Sequence, residues 1–459
     1  MLLIAAVCAG CSGVGSAWAI VDGASGHAVA CPCMGCSAGS FRVAGPSGDG
    51  TVSSAEFRLT SRWTRTASAT NTGPVGSPVT LTWGFVPDGT PIPGGQVSGE
   101  STDPSNLIAN FDSRFGAGPG GSDLTRRPWF TFFESSFNRW SQLAGLTYIY
   151  EPNDDGSPMY VRNSNGSTSP GAAGQLGVRA DIRIGGHRID GNGNVLAYNF
   201  FPNSGEMVLD TSEGSALSSS SNNFRSLRNI IMHEHGHGMG ILHSESSNSN
   251  HLMEPFLQTS FDGPQFDDIL AAQRLYGDVW EKNGGNDTPA TASSLGSLSP
   301  GGTLAIGTSA GNTTVVTPSM SDFVSIDDES DIDFWRVSVL GPAAMNITLT
   351  PVGPTYNEGP QGGSQSPFNA AAQSDLTLAL FAPDGLTQLA FANDAGLGGA
   401  EFLSNLLVLT GDYFIRVAGL TQDRIQMYRL DVSLVSAVIP EPAVLGLLAG
   451  LGLLLHRRR

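Results

Sequence analysis

The chain has almost no lysine. Of 459 residues only Lys282 is one, so the 23 basic residues are nearly all arginine, set against 41 acids for a net charge of −18. With no basic run before the last few residues, the sequence lacks the clustered positive charge that nucleic acid requires, and no nucleic-acid partner is expected. The acidic balance suits a soluble extracellular protein. Cysteine is confined to the first 36 positions, so no disulfide framework can hold the remainder. Long apolar runs are missing too. AVLGLLAGLGLLL, near the C-terminus, has 13 residues, short of the roughly 17–25 that a spanning helix needs. Hydrophobic residues still make up 40% of the chain, enough for ordinary cores, and the length leaves room for two or three domains.

Histidine is also scarce, yet five of the eight fall between His233 and His251. Upstream, Phe224, Leu227, Ile230 and Ile231 recur at helical spacing. A helix continued through His233 and His237 places both imidazoles on one face, one turn apart, where they can reach one zinc ion. Glu234 lies one step round, near such a metal but offset, as suits a general base. Gly238 and Gly240 are expected to end the helix, letting the chain reverse and present His243 as a third ligand. Three protein ligands leave a position for water, the arrangement of a catalytic zinc. His235, about 200° round the helix from His233, and His251 are read as bystanders.

HExxHxxGxxH, here His233, Glu234, His237, Gly240 and His243, followed by LMEP at Leu252–Pro255, resembles the metzincin zinc peptidases, and within them the matrixin, matrix-metalloproteinase-like branch. The resemblance implies that Met253 is the methionine packed beneath the three imidazoles. VTLTWGF at 79–85 resembles the family's first strand. FFESSFNRWSQLAGLTYIY resembles its first helix and second strand, ADIRI at 180–184 the next strand, and FDDILAAQRLYG at 266–277 the final helix. The Gly/Pro/Ser-rich stretch between the first strand and the first helix reads as loop.

The resemblance also implies a structural calcium, held by Asp190, Gly191, Gly193 and Val195 of DGNGNV and completed by Asp210 and Glu213; oxygen ligands of this kind suit a hard cation. It speaks against the family's second, structural zinc. His187 could be one ligand, but Tyr198 and Val208 stand where two further histidines belong.

The N-terminal MLLIAAVCAGCSGVGSAWA reads as a signal peptide, residues 1–19, cleaved after Ala17-Trp18-Ala19. Residues 20–78 follow as an N-terminal segment that could act as a pro-region. Its CPCMGC, with Cys31, Cys33 and Cys36, is read as disordered, because the cluster lacks the family's latency motif. The catalytic domain is expected over 79–278 and a linker over 279–300. Over 301–436 alternating segments such as DFWRVSV, LTLALFA and DYFIRVAG, separated by turn signals, suggest an antiparallel β-sandwich, similar to accessory domains of secreted bacterial peptidases. Asp331, Asp333 and Asp394 could bind calcium but are read as a solvated strand edge. The end, 437–459, combines Pro440, Glu441 and Pro442 with the apolar run and HRRR. It resembles a PEP-CTERM sorting signal, read by exosortase-type membrane proteases, with transient membrane association.

The expected fold is therefore α+β: a metzincin domain, built as a twisted mixed sheet with three helices, followed by a β-sandwich. The expected activity is that of a secreted, surface-sorted bacterial zinc endopeptidase with one catalytic zinc and a structural calcium, acting on extracellular proteins or peptides. The competing expectation is a non-catalytic surface or biofilm-matrix protein on the same scaffold. Retention of Glu234 separates the two, since a scaffold needs no base.

Overall fold

The architecture below is that of a computed structural model describing residues 18–21, 28–31, 57–248, 250–420 and 422–436. Most of the expected signal peptide, Cys33, Cys36 and the Pro440–Pro442 tail lie outside the described residues. Trp18–Val21 pairs antiparallel with Ala28–Cys31. No helix among the described residues is long and apolar enough to cross a membrane.

The N-terminal half is built on one mixed sheet. Its strands are β1 (Val79–Phe85), β2 (Leu146–Tyr150), β3 (Ile182–His187), β4 (Ala197–Asn199) and β5 (Met207–Asp210), in the order β2-β1-β3-β5-β4, all parallel except the edge strand β4. In β1 the alternation of VTLTWGF puts Leu81, Trp83 and Phe85 on the buried face. There they meet helix α2 (Phe130–Ser141), which aligns Phe130, Phe133, Phe137 and Trp140 at helical spacing. The rings interlock, with Trp83 4.8 Å from Phe137 and Phe85 4.8 Å from Phe133. Helix α1 (Leu107–Phe115) stands where the sequence suggested only loop. It buries Leu107 and Phe111, and its N-terminus is capped from outside: the Asp88 carboxylate accepts from Ile108 and Ala109 N–H at 3.0 and 2.8 Å. A cap supplied from about twenty residues away leaves no local signal.

Three further helices follow in this half, a single turn at Ser215–Ser218 and the longer α3 (Arg225–Met239) and α4 (Phe266–Tyr276). The boundary expected at residue 79 does not separate two bodies. Phe57 and Trp63 sit in the same core, Trp63 Nε1 donates to Gly238 O at 2.7 Å, and Leu59 bridges Ile241.

The C-terminal half holds two five-stranded sheets around one apolar core. The first runs Ser293–Leu298, Ile332–Val339, Gly411–Gly419, Leu376–Phe381, Gln388–Ala392. The second is built on Gln426–Ser436 and Ala343–Pro351. Trp335, Leu378 and Ile415 from one sheet meet Met345, Ile347 and Leu430 from the other. Two sequence expectations are corrected here. Residues 293–298, read as linker, form a strand, and it pairs parallel with Ile332–Val339 in sheets otherwise antiparallel. Small and polar residues hid it: SSLGSL carries little β signal and gains order only from its neighbour. Asp333 is fully buried, accepting from Tyr428 Oη and Asn286 Nδ2 at 2.5 Å each, and Asp331 and Asp333 offer oxygens within 4.8 Å of Glu281. Neither belongs to a solvated edge.

The halves share a core. Val316, Phe323, Tyr356 and Phe368 pack into the cluster that contains α2, α3 and α4. A hairpin, β7 (Thr355–Pro360) and β8 (Ser366–Asn369), leaves the two sheets and pairs with a short strand of the N-terminal half, β6 (Ser244–Ser246), in the order β6-β7-β8.

Candidate metal centre

Helix α3 carries His233 and His237 four residues apart, and its exit delivers His243. Gly240 takes φ 104°, its N–H bonds His237 O, and Ile241 N–H bonds Gly236 O, each at 2.9 Å. This is a Schellman ending, which a glycine at that position permits. Gly238, expected to help stop the helix, lies inside it. A Cβ there would come 2.6 Å from Asn199 Nδ2, so this glycine serves the close approach of β4.

The three ligand candidates converge. His243 Nε2 lies 3.2 Å from His233 Nε2 and 3.2 Å from His237 Nε2, and all three rings are buried. Each ring's other nitrogen faces an oxygen: His233 Nδ1 donates to Leu252 O at 2.7 Å, His237 Nδ1 to Ile241 O at 2.7 Å, and His243 Nδ1 to Gln361 Oε1 at 2.8 Å. In a neutral ring that proton placement makes Nε2 an acceptor, so three lone pairs point into one space, an arrangement a cation reconciles. Tetrahedral zinc bound at about 2.0–2.1 Å holds neighbouring nitrogens about 3.3–3.4 Å apart, and the observed spacing fits. Glu234 is fully buried beside this group.

The floor is equally specific. Met253 Sδ would stand 2.3 Å from a Cβ on Gly236, so the absence of a side chain between His233 and His237 makes room for the methionine. The LMEP turn is held by Asp268, a residue the sequence reading did not single out. Its carboxylate accepts from Leu252 N–H at 2.7 Å and Met253 N–H at 3.0 Å, and burial pushes it up to about 6. His235 points the other way, onto Phe137 and Tyr148, with Nε2 2.5 Å from Tyr148 Oη; burial lowers it to about 3, which keeps it neutral. His251 is buried against Tyr356, 5.4 Å between rings. Beside the centre, a cleft of about 310 Å³ is lined by Phe200, Phe201, Asn203 and Glu206, and the Phe201 ring lies 5.9 Å from His237.

The second set of site residues is also gathered. Asp210 Oδ2 accepts from Asp190 and Gly191 N–H at 3.1 Å each, Glu213 Oε1 from Gly193 N–H at 2.6 Å, and Asp190 Oδ1 from Val195 N–H at 3.2 Å. Gly191 and Gly193 adopt φ 104° and 98°, which glycine allows. Burial, then the neighbouring Asp210, raises Asp190 to about 6; burial, with Asp210 and Asp190 adding, raises Glu213 to about 7. His187 and Tyr198 form a different arrangement: both bond Glu100 Oε1, at 2.9 and 2.7 Å, and Tyr160 Oη lies 3.0 Å from Tyr198 Oη. Glu100 carried no sequence signal, being 87 and 98 residues away from its partners.

A buried centre of three histidines, two on α3 and one just after it, stands over a methionine turn, and residues 120–277 match the matrixin family model, Peptidase_M10. Among curated proteins the chain is similar to the hatching enzyme of Paracentrotus lividus, 29% identical over 174 residues, covering 37% of this chain and 25% of that protein. It is similar to matrix metalloproteinase-25 of Mus musculus, 36% identical over 99 residues, covering 20% and 16%. Matrix metalloproteinase-C of Caenorhabditis elegans is 27% identical over 172 residues, covering 34% and 26%. The chain thus spans about a quarter or less of the length of these relatives.

Proposed function

We propose that the protein is a secreted zinc endopeptidase that cleaves extracellular proteins or peptides. The convergence of three imidazole Nε2 atoms at 3.2 Å carries this reading. Zinc held by His233, His237 and His243 would supply Lewis-acid polarisation of a water and of the scissile carbonyl. Glu234 takes the proton of the attacking water and passes it to the departing amine nitrogen, the general acid–base role its place beside His233 suits. The backbone carbonyls at Leu252 and Ile241 hold the rings of His233 and His237. The burial of the group limits competing solvent.

Calcium at Asp190, Asp210 and Glu213 would brace the loop leading into β4 and β5, without touching the chemistry. Export through the N-terminal signal, and surface sorting through Pro440-Glu441-Pro442 by an exosortase-type protease in a bacterium, complete the proposal. They rest on the sequence pattern alone.

Glu234→Gln is the test. The substitution keeps the shape and the histidines, so zinc content measured by metal analysis should stay at wild type. Hydrolysis of unfolded protein substrates should fall about 10²–10⁴-fold. Equal turnover in both proteins would remove Glu234 from the mechanism.

A further inference from the structure

The three histidines are oriented in two different ways. His233 and His237 donate to backbone carbonyls of their own lobe, 19 and 4 residues away in the chain. His243 donates to the Gln361 side chain, 118 residues downstream, at 2.8 Å. Gln361 follows directly on β7, the first strand of the hairpin that reaches across from the C-terminal sheets.

That hairpin is anchored against the metal centre at several points. β7 pairs antiparallel with β6, the strand immediately after His243, with Ser244 opposite Pro360, Glu245 opposite Gly359 and Ser246 opposite Glu358. Ser244 Oγ donates to Glu358 Oε2 at 3.3 Å, and Tyr356 Oη donates to Asp267 Oδ1 at 2.8 Å on α4. Tyr356 and Phe368 are buried in the core that also holds α3. Gln361 is thus delivered to His243 by a fixed element, not by a free loop. Its own Nε2 is buried and makes no hydrogen bond, so the contact to His243 decides the amide's orientation.

We infer that Gln361 is a positioning residue of the metal centre, and that the C-terminal half completes the centre. This rests on the zinc reading above. An acceptor on Nδ1 fixes both the ring's direction and its tautomer, leaving Nε2 for the metal and raising its basicity. β6 has three residues and, among the described residues, joins no other strand of the N-terminal half. The hairpin therefore bears on the third ligand twice, by the β6–β7 ladder and by the amide, beside the bonds of Leu242 N–H to Arg58 O and Ser244 N–H to Met253 O within the N-terminal half.

The experiment uses the full chain. Gln361→Met keeps length and removes the acceptor; Gln361→Glu keeps an acceptor of the same reach. Zinc affinity is read by chelator competition, the Co²⁺-substituted protein by its visible absorption, and the metal-free protein by thermal melting. Gln361→Met should weaken zinc binding about 10–100-fold, the usual cost of losing such a partner. It should also shift the Co²⁺ bands, with melting of the metal-free protein unchanged. Gln361→Glu should bind zinc at least as tightly as wild type. Wild-type zinc affinity and an unshifted Co²⁺ spectrum in Gln361→Met would overturn the inference, as would equal losses in both variants. A wild type that binds zinc but cleaves nothing defeats the peptidase reading and leaves the Gln361 contrast measurable. A wild type that binds no zinc overturns both.

Discussion

The histidine centre and the acidic loop around Asp190 each bring ionisable side chains together, but their geometry is held by different means. His233 and His237 ride on one helix, and His243 comes ten residues after His233 through a fixed helix ending. Two of these rings are held by hydrogen bonds to carbonyls of nearby backbone, so the helix sets the ligand spacing in advance. The acids come from two segments twenty residues apart, and backbone N–H groups hold them against one another. Burial and mutual repulsion raise Asp190 to about 6 and Glu213 to about 7. The first group is placed by its own helix, and the second by backbone donors that join two segments.

The strongest way to break this comparison is at the histidines. His237→Ala removes a ligand from a rigid frame. Zinc affinity should fall by more than the about 10–100-fold expected for an outer partner, and peptide hydrolysis should disappear. Equilibrium dialysis would check this, and zinc retained at wild-type affinity would mean that the histidines are not the ligands. Loss of zinc here, with its retention in Glu234→Gln, separates the ligands from the base.

The rigidity of the frame can be probed one layer down. Gly236→Ala places a methyl about where Met253 Sδ stands, 2.3 Å from the ideal Cβ. The helix or the methionine turn must shift, at a cost of about 1–3 kcal/mol for overpacking. Adding Met253→Ala should recover part of that loss, because the two changes share one space. Additive losses measured by urea unfolding would contradict the packing account.

The smallest effect should come from the acids, as a dependence on pH. Asp190 and Glu213 have ordinary values of 3.8 and 4.5, so between those values and about 6–7 the folded protein holds protons that the unfolded chain has released. The native state then binds more protons than the unfolded state, and stability falls as pH rises through this window. In chelator, Glu213→Gln should flatten the slope of melting temperature between about pH 5 and 7. Calcium should raise the melting temperature of wild type above pH 7 more than that of Asp210→Ala. An unchanged calcium response in Asp210→Ala would remove the loop from the list of cation sites.

How legible each part was follows the same division. The strand Val79–Phe85, the strand Leu146–Tyr150 and the last helix, Phe266–Tyr276, stand where the family resemblance put them, and each buries a face its own residues define. Helix Leu107–Phe115 and strand Ser293–Leu298 escaped notice, since a cap from Asp88 and a neighbouring strand are not local properties. At the centre, the spacing named His233, Glu234, His237 and His243. It could not name Asp268, which holds the methionine turn, or Gln361, which meets the third ring.

The sequence by itself determined the helix that carries the metal ligands and the order of residues around its end, because a 3.6-residue repeat turns spacing into direction. Tertiary structure alone decided which groups stand behind those ligands. It also decided that residues 57–78 and the Thr355–Asn369 hairpin belong to the same body as the centre. Hydrogen bonds and packing contacts depend on distance in space, and a glutamine 118 residues from its histidine leaves no mark on the chain between them.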